Sequence, residues 1–235
     1  MWKPYRVSVL MISALLVGCS YRVVSPPARM APLESPATLP VGTNGLAAEG
    51  GFASATFGPE VIFGSVRYRR RLIEEQLDGS IEVNGLHVLG GTDVSTFREA
   101  YSLHLGLKYR MLGVLSLVGG VGGGGSAAGG FISPDVGFIA GFEKPYVIPF
   151  ISVRGFLSQP FAAREIDLGI DDDERKRGTP QTTFGLVTLS GVRVPLSFDG
   201  FTTHSLALGF TGTIISDRHK GYGFLGFVGN FEVVF

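Results

Sequence analysis

The sequence predicts an all-β fold: a closed, antiparallel, up-and-down transmembrane β-barrel of ten strands, with eight strands as the alternative. Three observations predict it. The 235 residues include 35 glycines and 18 phenylalanines but only 17% charged residues, a composition that does not favour helices. Mean hydropathy is +0.30, yet no apolar run after the first 18 residues is long enough for a spanning helix. Instead, apolar residues recur at every second position of many short segments, as in strands that turn one face to lipid.

Residues 1–18 have the features of a cleaved signal peptide. Lys3 and Arg6 precede an apolar run, residues 7–17, that is too short to span a bilayer. The run ends in Leu16-Val17-Gly18-Cys19, which resembles the lipobox of bacterial lipoproteins. The resemblance implies that the lipoprotein processing and sorting system acylates Cys19 and makes it the new N-terminus. Cys19 is the single cysteine of the chain, which excludes an intramolecular disulfide.

Residues 19–43 are predicted to form a tether that follows the lipidated Cys19. Proline fixes the backbone and removes a hydrogen-bond donor, and small residues separate the prolines, so we expect an extended, poorly ordered linker. The barrel is predicted to occupy residues 44–235. The prolines of the tether are Pro26, Pro27, Pro32, Pro36 and Pro40.

Two internal segments show the two-residue alternation most clearly. In Tyr101 to Met111 the odd positions are apolar or aromatic, and the even positions are polar, charged or glycine. In His204 to Ile214 one row is large and apolar, and the other is small and polar. Weaker alternation marks residues 45–57, 60–70, 77–88, 113–121, 135–143, 146–156 and 183–194. The hairpin around Gly58-Pro59 is the least regular, and its loss would leave eight strands.

The last predicted strand, residues 225–235, completes the count of ten. Its outward row ends in three residues, Phe231, Val233 and Phe235, while Asn230 and Glu232 lie in the other row. The terminal aromatic residue resembles the C-terminal signature of bacterial outer-membrane barrels. That resemblance implies that Phe235, Val233 and Phe231 form a signal for the barrel assembly machinery.

The lengths of the predicted links suggest an orientation in the membrane. Short links at residues 71–76, 112, 144–145 and 195–201 fall on one side, and longer links at 89–100, 122–134 and 157–182 fall on the other. Outer-membrane barrels have short periplasmic turns and long external loops. We therefore expect a protein that is both lipid-anchored and membrane-spanning in the bacterial outer membrane, with outer-membrane lipids as partners and both termini in the periplasm.

Several charged residues are predicted to point into the lumen. A barrel of eight to ten strands has a narrow interior, where opposite charges pair and plug the lumen instead of lining a wide pore. This argues against a general diffusion porin. The predicted inward residues are His104, Lys108, Arg110, Glu143, Arg154, Arg193 and Glu232.

Other motifs have simpler interpretations than a ligand site. Gly120 to Gly125 matches G-x-G-x-x-G, but neither a helix nor a βαβ unit follows, so we predict a flexible external loop and no nucleotide site. Asp171 to Arg177 is an acidic block followed by a basic block, which predicts a solvated, self-paired loop. The 20 basic and 20 acidic residues balance, which argues against nucleic-acid binding.

No set of residues predicts a cofactor or a catalytic site, so the preferred function is structural, surface-interaction or narrow transport, and not enzymatic. The first alternative is an outer-membrane enzyme. Asp217 and His219 are similar to the catalytic pair of omptin proteases, while a lipid-modifying barrel would need a Ser–His pair that the adjacent His204 and Ser205 cannot form on a strand. The second alternative is a soluble periplasmic β-barrel or β-sandwich lipoprotein, whose outer faces would be polar.

Overall fold

The computed structural model describes residues 21–55, 59–73, 76–89, 99–171, 174–196, 202–216 and 221–235. In these ranges all regular secondary structure is β-strand. The described residues include no helical segment with the length and apolarity needed to span a bilayer. In chain order the strands are β1 (Tyr21–Val24), β2 (Asn44–Ala55), β3 (Glu60–Ile73), β4 (Leu77–Leu89), β5 (Glu99–Leu112), β6 (Leu115–Ser126), β7 (Gly129–Gly141), β8 (Ile148–Phe161), β9 (Ile166–Asp171), β10 (Glu174–Gln181), β11 (Thr183–Pro195), β12 (Thr203–Ser216) and β13 (Gly221–Val234).

Ten of these strands close into an antiparallel barrel. The order is β2 to β8 followed by β11, β12 and β13, and β13 pairs with β2 to close the cylinder. Each predicted strand overlaps one of the ten, including those of the least regular hairpin, β2–β3. The structure therefore confirms ten strands over eight.

The outer surface of the barrel is apolar. Leu103, Leu105 and Leu107 on β5 are each about half exposed, at 50%, 50% and 53%, and Tyr101 and Tyr109 lie toward opposite ends of the same row. On β12 the large apolar row faces outward while Ser205 and its row are buried. This is the alternation that the sequence predicts, with the apolar row on the outer surface.

The two ends of the barrel differ in their links. The turn end carries Asn44, Phe235 and the links at residues 74–76, 113–114, 142–147 and 196–202. The loop end carries the links at 56–59, 90–98, 127–128, 162–182 and 217–220. The prediction of a long external loop at residues 122–134 is wrong, because β6 and β7 continue to a tight turn at residues 127–128.

A small sheet lies at the loop end, outside the barrel wall. It has the order β1-β10-β9, with β1 parallel to β10 and β10 antiparallel to β9. The segment from Asp171 to Arg177 was predicted to be a solvated loop, but Asp171 ends β9 and residues 174–177 begin β10. Residues 172 and 173 lie outside the described residues.

Residues 24–39, the lumen segment, run through the interior of the barrel. Its first residue, Val24, ends β1 at the loop end, and Leu39 lies against Asp78 near the turn end. Residues 24–36 and 39 are all buried. The prediction of a poorly ordered tether is therefore wrong for this segment. The prolines and small side chains that suggested an unpacked linker also make a thin, extended chain, and such a chain fits inside a barrel.

The first and last described residues consequently lie at opposite ends of the barrel. Tyr21 pairs with Gly178 in the sheet at the loop end, whereas Phe235 exchanges backbone hydrogen bonds with Asn44 at the turn end. The prediction that both termini lie in the periplasm concerns an N-terminus outside the described residues and stays a prediction.

Candidate functional site: the lumen segment and the barrel wall

The inner wall leaves room for an extra chain because many of its side chains are small. Eight strands give an interior just wide enough for wall side chains, and ten strands give more. The inward positions of β5 to β8 include Gly122 and a set of buried serines. These serines are Ser102, Ser116, Ser133, Ser152 and Ser158.

The glycines of β6 make the closest approach between wall and lumen segment. A Cβ atom at Gly122 would overlap the Cβ atom of Ala28, and one at Gly120 would lie 2.5 Å from the His104 ring. Glycine at these inward positions lets the segment and the imidazole lie against the strand backbone. The prediction of a flexible loop for Gly120 to Gly125 is wrong, since all six residues belong to β6.

Wall hydroxyl groups satisfy the backbone carbonyl oxygens of the lumen segment. A buried carbonyl group without a hydrogen-bond donor costs free energy. A segment in the lumen has no neighbouring β-strand whose N–H groups could donate to it. The serine hydroxyl groups act as donors along its length. Ser158 donates to Pro26 O at 2.6 Å, Ser102 to Ala28 O at 2.7 Å and Ser116 to Pro36 O at 2.6 Å.

The wall also accepts hydrogen bonds from the segment's N–H groups. Leu33 N–H donates to Glu49 Oε2 at 2.8 Å, and Leu39 N–H donates to Asp78 Oδ2 at 3.0 Å. Prolines reduce the number of such donors that need a partner. The backbone of the lumen segment is thus matched to the wall at both ends and in the middle.

An ion-pair network joins the middle of the segment to three strands of the wall. Glu34 Oε1 lies 2.7 Å from Arg29, 2.8 Å from Arg67 and 3.4 Å from Arg154. Arg29 also donates to both carboxylate oxygens of Glu82, at 3.1 and 2.6 Å. The side chains of these five residues are at most 6% exposed.

The network holds the segment at one register. Arg29 and Glu34 come from the segment, and each meets wall charges of opposite sign. A buried charge that loses its partner costs several kcal/mol. Sliding the segment by one or two residues would separate both pairs at once, so the charges select the observed position.

A second cluster of charges lies nearer the turn end. Glu232 pairs with Arg69 and with Arg193, the latter at 2.5 Å. Lys108 Nζ donates to Ala37 O at 2.5 Å, which ties this region to the lumen segment as well. Closer to the middle, His104 Nε2 lies 2.5 Å from Asp135 Oδ2.

Most of the predicted inward charges do face the lumen. His104, Lys108, Arg154, Arg193 and Glu232 are buried inside the barrel. Arg110 and Glu143 instead pair with each other at 3.1 Å at the turn-end rim, with their side chains about one-third exposed.

Several lumen charges were not predicted, although the sequence contained the signal for some of them. Two arginines of β3 alternate with outward Val66 and Tyr68, and the same two-residue period would have placed the acidic residues of β4 inside. The two-residue alternation of the strands does not predict that the charged residues of the lumen segment lie inside the barrel. The missed residues include Arg29, Glu34, Arg67, Arg69, Asp78, Glu82 and Asp135.

Little free volume remains beside the central network. A cavity next to Arg29 and Glu82 measures about 20 Å³, and one next to Arg154 and Asp135 measures about 10 Å³. A single water needs roughly 10 to 15 Å³ by this measure. These cavities hold about one water each, and neither is a pathway for solutes.

The catalytic alternatives gain no support among the described residues. His204 stacks on Phe231, with ring centroids 6.1 Å apart, whereas Ser205 is buried on the inner face. The two side chains diverge, as the sequence predicts. Asp217 and His219 lie outside the described residues. Within the described ranges, no group of three His, Cys, Asp or Glu side chains could hold a metal ion.

The residues of the predicted assembly signal lie at the turn end of β13. Phe231 and Phe235 are exposed on the outer surface, at 44% and 53%, and Val233 is half-buried between them. Phe235 also makes the last hydrogen bonds of the seam, to Asn44. Cys19, the predicted lipidation site, lies outside the described residues.

Solved structures of similar shape include several bacterial proteins. Neisserial surface protein A is 15% identical, with 82% of this chain and 94% of that chain covered and a TM-score of 0.39. The translocator domain of the autotransporter NalP from Neisseria meningitidis is 11% identical, with coverages of 83% and 88% and a TM-score of 0.47. The outer membrane protease OmpT from Escherichia coli is 9% identical, with coverages of 86% and 99% and a TM-score of 0.44.

No protein-family model matches the sequence, and no curated protein matches it. The identities to the solved structures are too low to carry a function across, so what they share with this chain is the fold. The chain is an all-β protein with a closed, ten-stranded antiparallel barrel, and the solved structures that it is similar to are β-barrels of bacterial outer membranes.

Proposed function

We propose that this protein is a lipidated barrel of the bacterial outer membrane that its own N-terminal segment closes to diffusion, and that its role is structural or surface-interacting. The filled lumen is the observation that carries the proposal. Wall serines and buried ion pairs hold the segment in the lumen, and the cavities beside Arg29 measure about 20 and 10 Å³. This favours a structural or surface role over narrow transport.

The outer surface supports a place in the membrane. Exposed leucine, valine and phenylalanine side chains occupy the outward rows of the barrel strands, whereas a soluble lipoprotein would present polar rows to water. We propose that the turn end faces the periplasm, since the two longest links, residues 90–98 and 162–182, lie at the other end.

Two assembly systems are the proposed partners. Acylation of Cys19 requires the lipoprotein processing and sorting system, and insertion requires the barrel assembly machinery, for which Phe235, Val233 and Phe231 are the proposed signal. We propose no enzymatic role, because the lumen carboxylates Glu34 and Glu82 pair with arginine side chains and do not face an open cleft.

Ion conduction tests the proposed closure. The purified full chain in a planar lipid bilayer is expected to give no current steps. A variant that lacks residues 24–39 is expected to conduct, since its lumen would hold water in place of protein. Heat-modifiable migration in detergent gels checks that each barrel is folded. Equal conductance of the full chain and the deletion variant would rule the proposal out.

A further inference from the structure

The lumen segment enters and leaves the barrel at opposite ends. At the turn end it leads into β2, where Asn44 is bonded to Phe235. At the loop end it is preceded by β1, whose residues from Tyr21 to Val24 pair with residues 178 to 181 of β10. The chain therefore crosses the full height of the barrel between Tyr21 and Asn44.

We propose that the mature N-terminus is displayed on the outer side of the membrane, opposite the C-terminus, and that the lipid on Cys19 anchors the protein in the outer leaflet. The proposal rests on the membrane orientation and the lipidation proposed above. A lipoprotein tethered from the inner leaflet would have the residues that follow its lipidated cysteine beside the turn end, whereas the first described residues of this chain, Tyr21–Val24, lie at the loop end.

Chain length limits where Cys19 can lie. An extended chain spans at most about 3.6 Å per residue, so two residues reach about 7 Å. Because Cys19 precedes Tyr21 by two residues, we place it within about 7 Å of the loop-end sheet. The chain that precedes Tyr21 cannot run back through the lumen to the turn end, because Arg29, Glu34 and their partners already occupy the lumen.

Hydrogen bonds of Ser25 fix the exit point. Ser25 N–H donates to Thr183 Oγ1 at 2.9 Å, and the hydroxyl groups of Ser25 and Ser158 are hydrogen-bonded at an Oγ–Oγ distance of 3.0 Å. Ser158 lies near the loop end of β8, and Thr183 begins β11. With the pairing of β1 and β10, these bonds hold the emerging chain at the mouth of the barrel.

The arrangement also constrains the order of assembly. Acyl chains on Cys19 cannot pass beside the central ion-pair network, where the two cavities measure about 20 and 10 Å³ and hold about one water each. The barrel must therefore close around the segment, with the seam between β13 and β2 formed after the segment has entered. The residues of the proposed assembly signal lie at this seam, and Phe235 is bonded to Asn44.

Epitope accessibility in intact cells tests the proposal. One tag follows Ser20, a second is inserted at Ala163 in the loop-end link, and a third at Lys144 in the turn-end link; both reference positions are exposed. Antibodies added to intact cells are expected to bind the tags after Ser20 and at Ala163 to the same extent, and the Lys144 tag only after permeabilisation. The tag after Ser20 behaving like the Lys144 tag would overturn the proposal.

The two reference tags separate the proposal from the orientation on which it rests. If intact cells expose Lys144 and hide Ala163, the assumed orientation fails, and with it the surface display.

Discussion

G122L is expected to expel the lumen segment and convert a closed barrel into a conducting one. Gly122 faces inward, and even a methyl group there would overlap Ala28. A leucine side chain needs the space through which the segment runs, and a well-packed interior does not absorb such a volume without displacement. The measurement is single-channel conductance of the purified variant, beside heat-modifiable migration as the check of folding.

G125L is the matched control on the same strand. Gly125 faces outward, and a Cβ atom there would meet only Gly129 O, at 4.0 Å. The same leucine on the outer surface is expected to leave the barrel closed. A folded G122L barrel as closed as G125L would show that the segment does not occupy the space beside β6.

E34Q is expected to destabilise the folded protein by about 3 to 5 kcal/mol, the usual cost of breaking a buried ion pair. Glutamine keeps the shape of Glu34 but removes its charge, which leaves three buried guanidinium groups without their shared partner. Those groups belong to Arg29, Arg67 and Arg154. The measurement is the free energy of unfolding in urea, followed by the gel-mobility difference between folded and unfolded barrels.

E143Q makes the same chemical change at the rim. Glu143 pairs with Arg110 at 3.1 Å, but both side chains are partly exposed, at 35% and 29%. Exposed pairs contribute about 1 kcal/mol or less, so we expect a small effect. Equal losses of stability in E34Q and E143Q would contradict a buried network around Glu34.

The barrel strands could be predicted from the sequence because their physical cause is local. Whether a side chain of a membrane barrel contacts lipid or the lumen depends on the face of the strand that it occupies. The two-residue period shows this face directly, as in Tyr101 to Met111 and His204 to Ile214. Lumen charges such as His104 and Glu232 follow from the same period. The glycines of β6 interrupt the period, because glycine has no side chain to assign to a face.

The lumen segment could not be predicted because its binding partners are distant in sequence. Ser158 is 132 residues from Pro26, and Ser116 is 80 residues from Pro36. Proline and small residues predict an extended backbone correctly, but they do not show whether water or a barrel wall surrounds it. The single local signal was the pair Arg29 and Glu34, two charges in an otherwise uncharged stretch from Val23 to Pro40.

A plugged barrel accounts for features that a tethered barrel leaves unexplained. Inward serines on four neighbouring strands and glycine at position 122 both leave room for a chain that lies inside. The ion pairs of Arg29 and Glu34 add selectivity for one register over neighbouring ones. The proposed closure and the proposed display of the N-terminus then follow from one packing arrangement.

Cross-linking within the lumen tests the central claim most directly. The Oγ atoms of Ser25 and Ser158 lie 3.0 Å apart, a separation from which a disulfide can form with little movement. S25C/S158C is expected to form an intramolecular disulfide in the folded membrane protein, seen as a mobility change in a non-reducing denaturing gel. The first control is S158C alone, which reveals any disulfide between position 158 and Cys19. The second control is S25C/S116C, in which no disulfide is expected, because Ser116 contacts the far part of the segment at Pro36. Disulfide formation in S25C/S158C and in neither control is the predicted result, whereas its absence from a folded S25C/S158C barrel would contradict a segment that runs through the lumen.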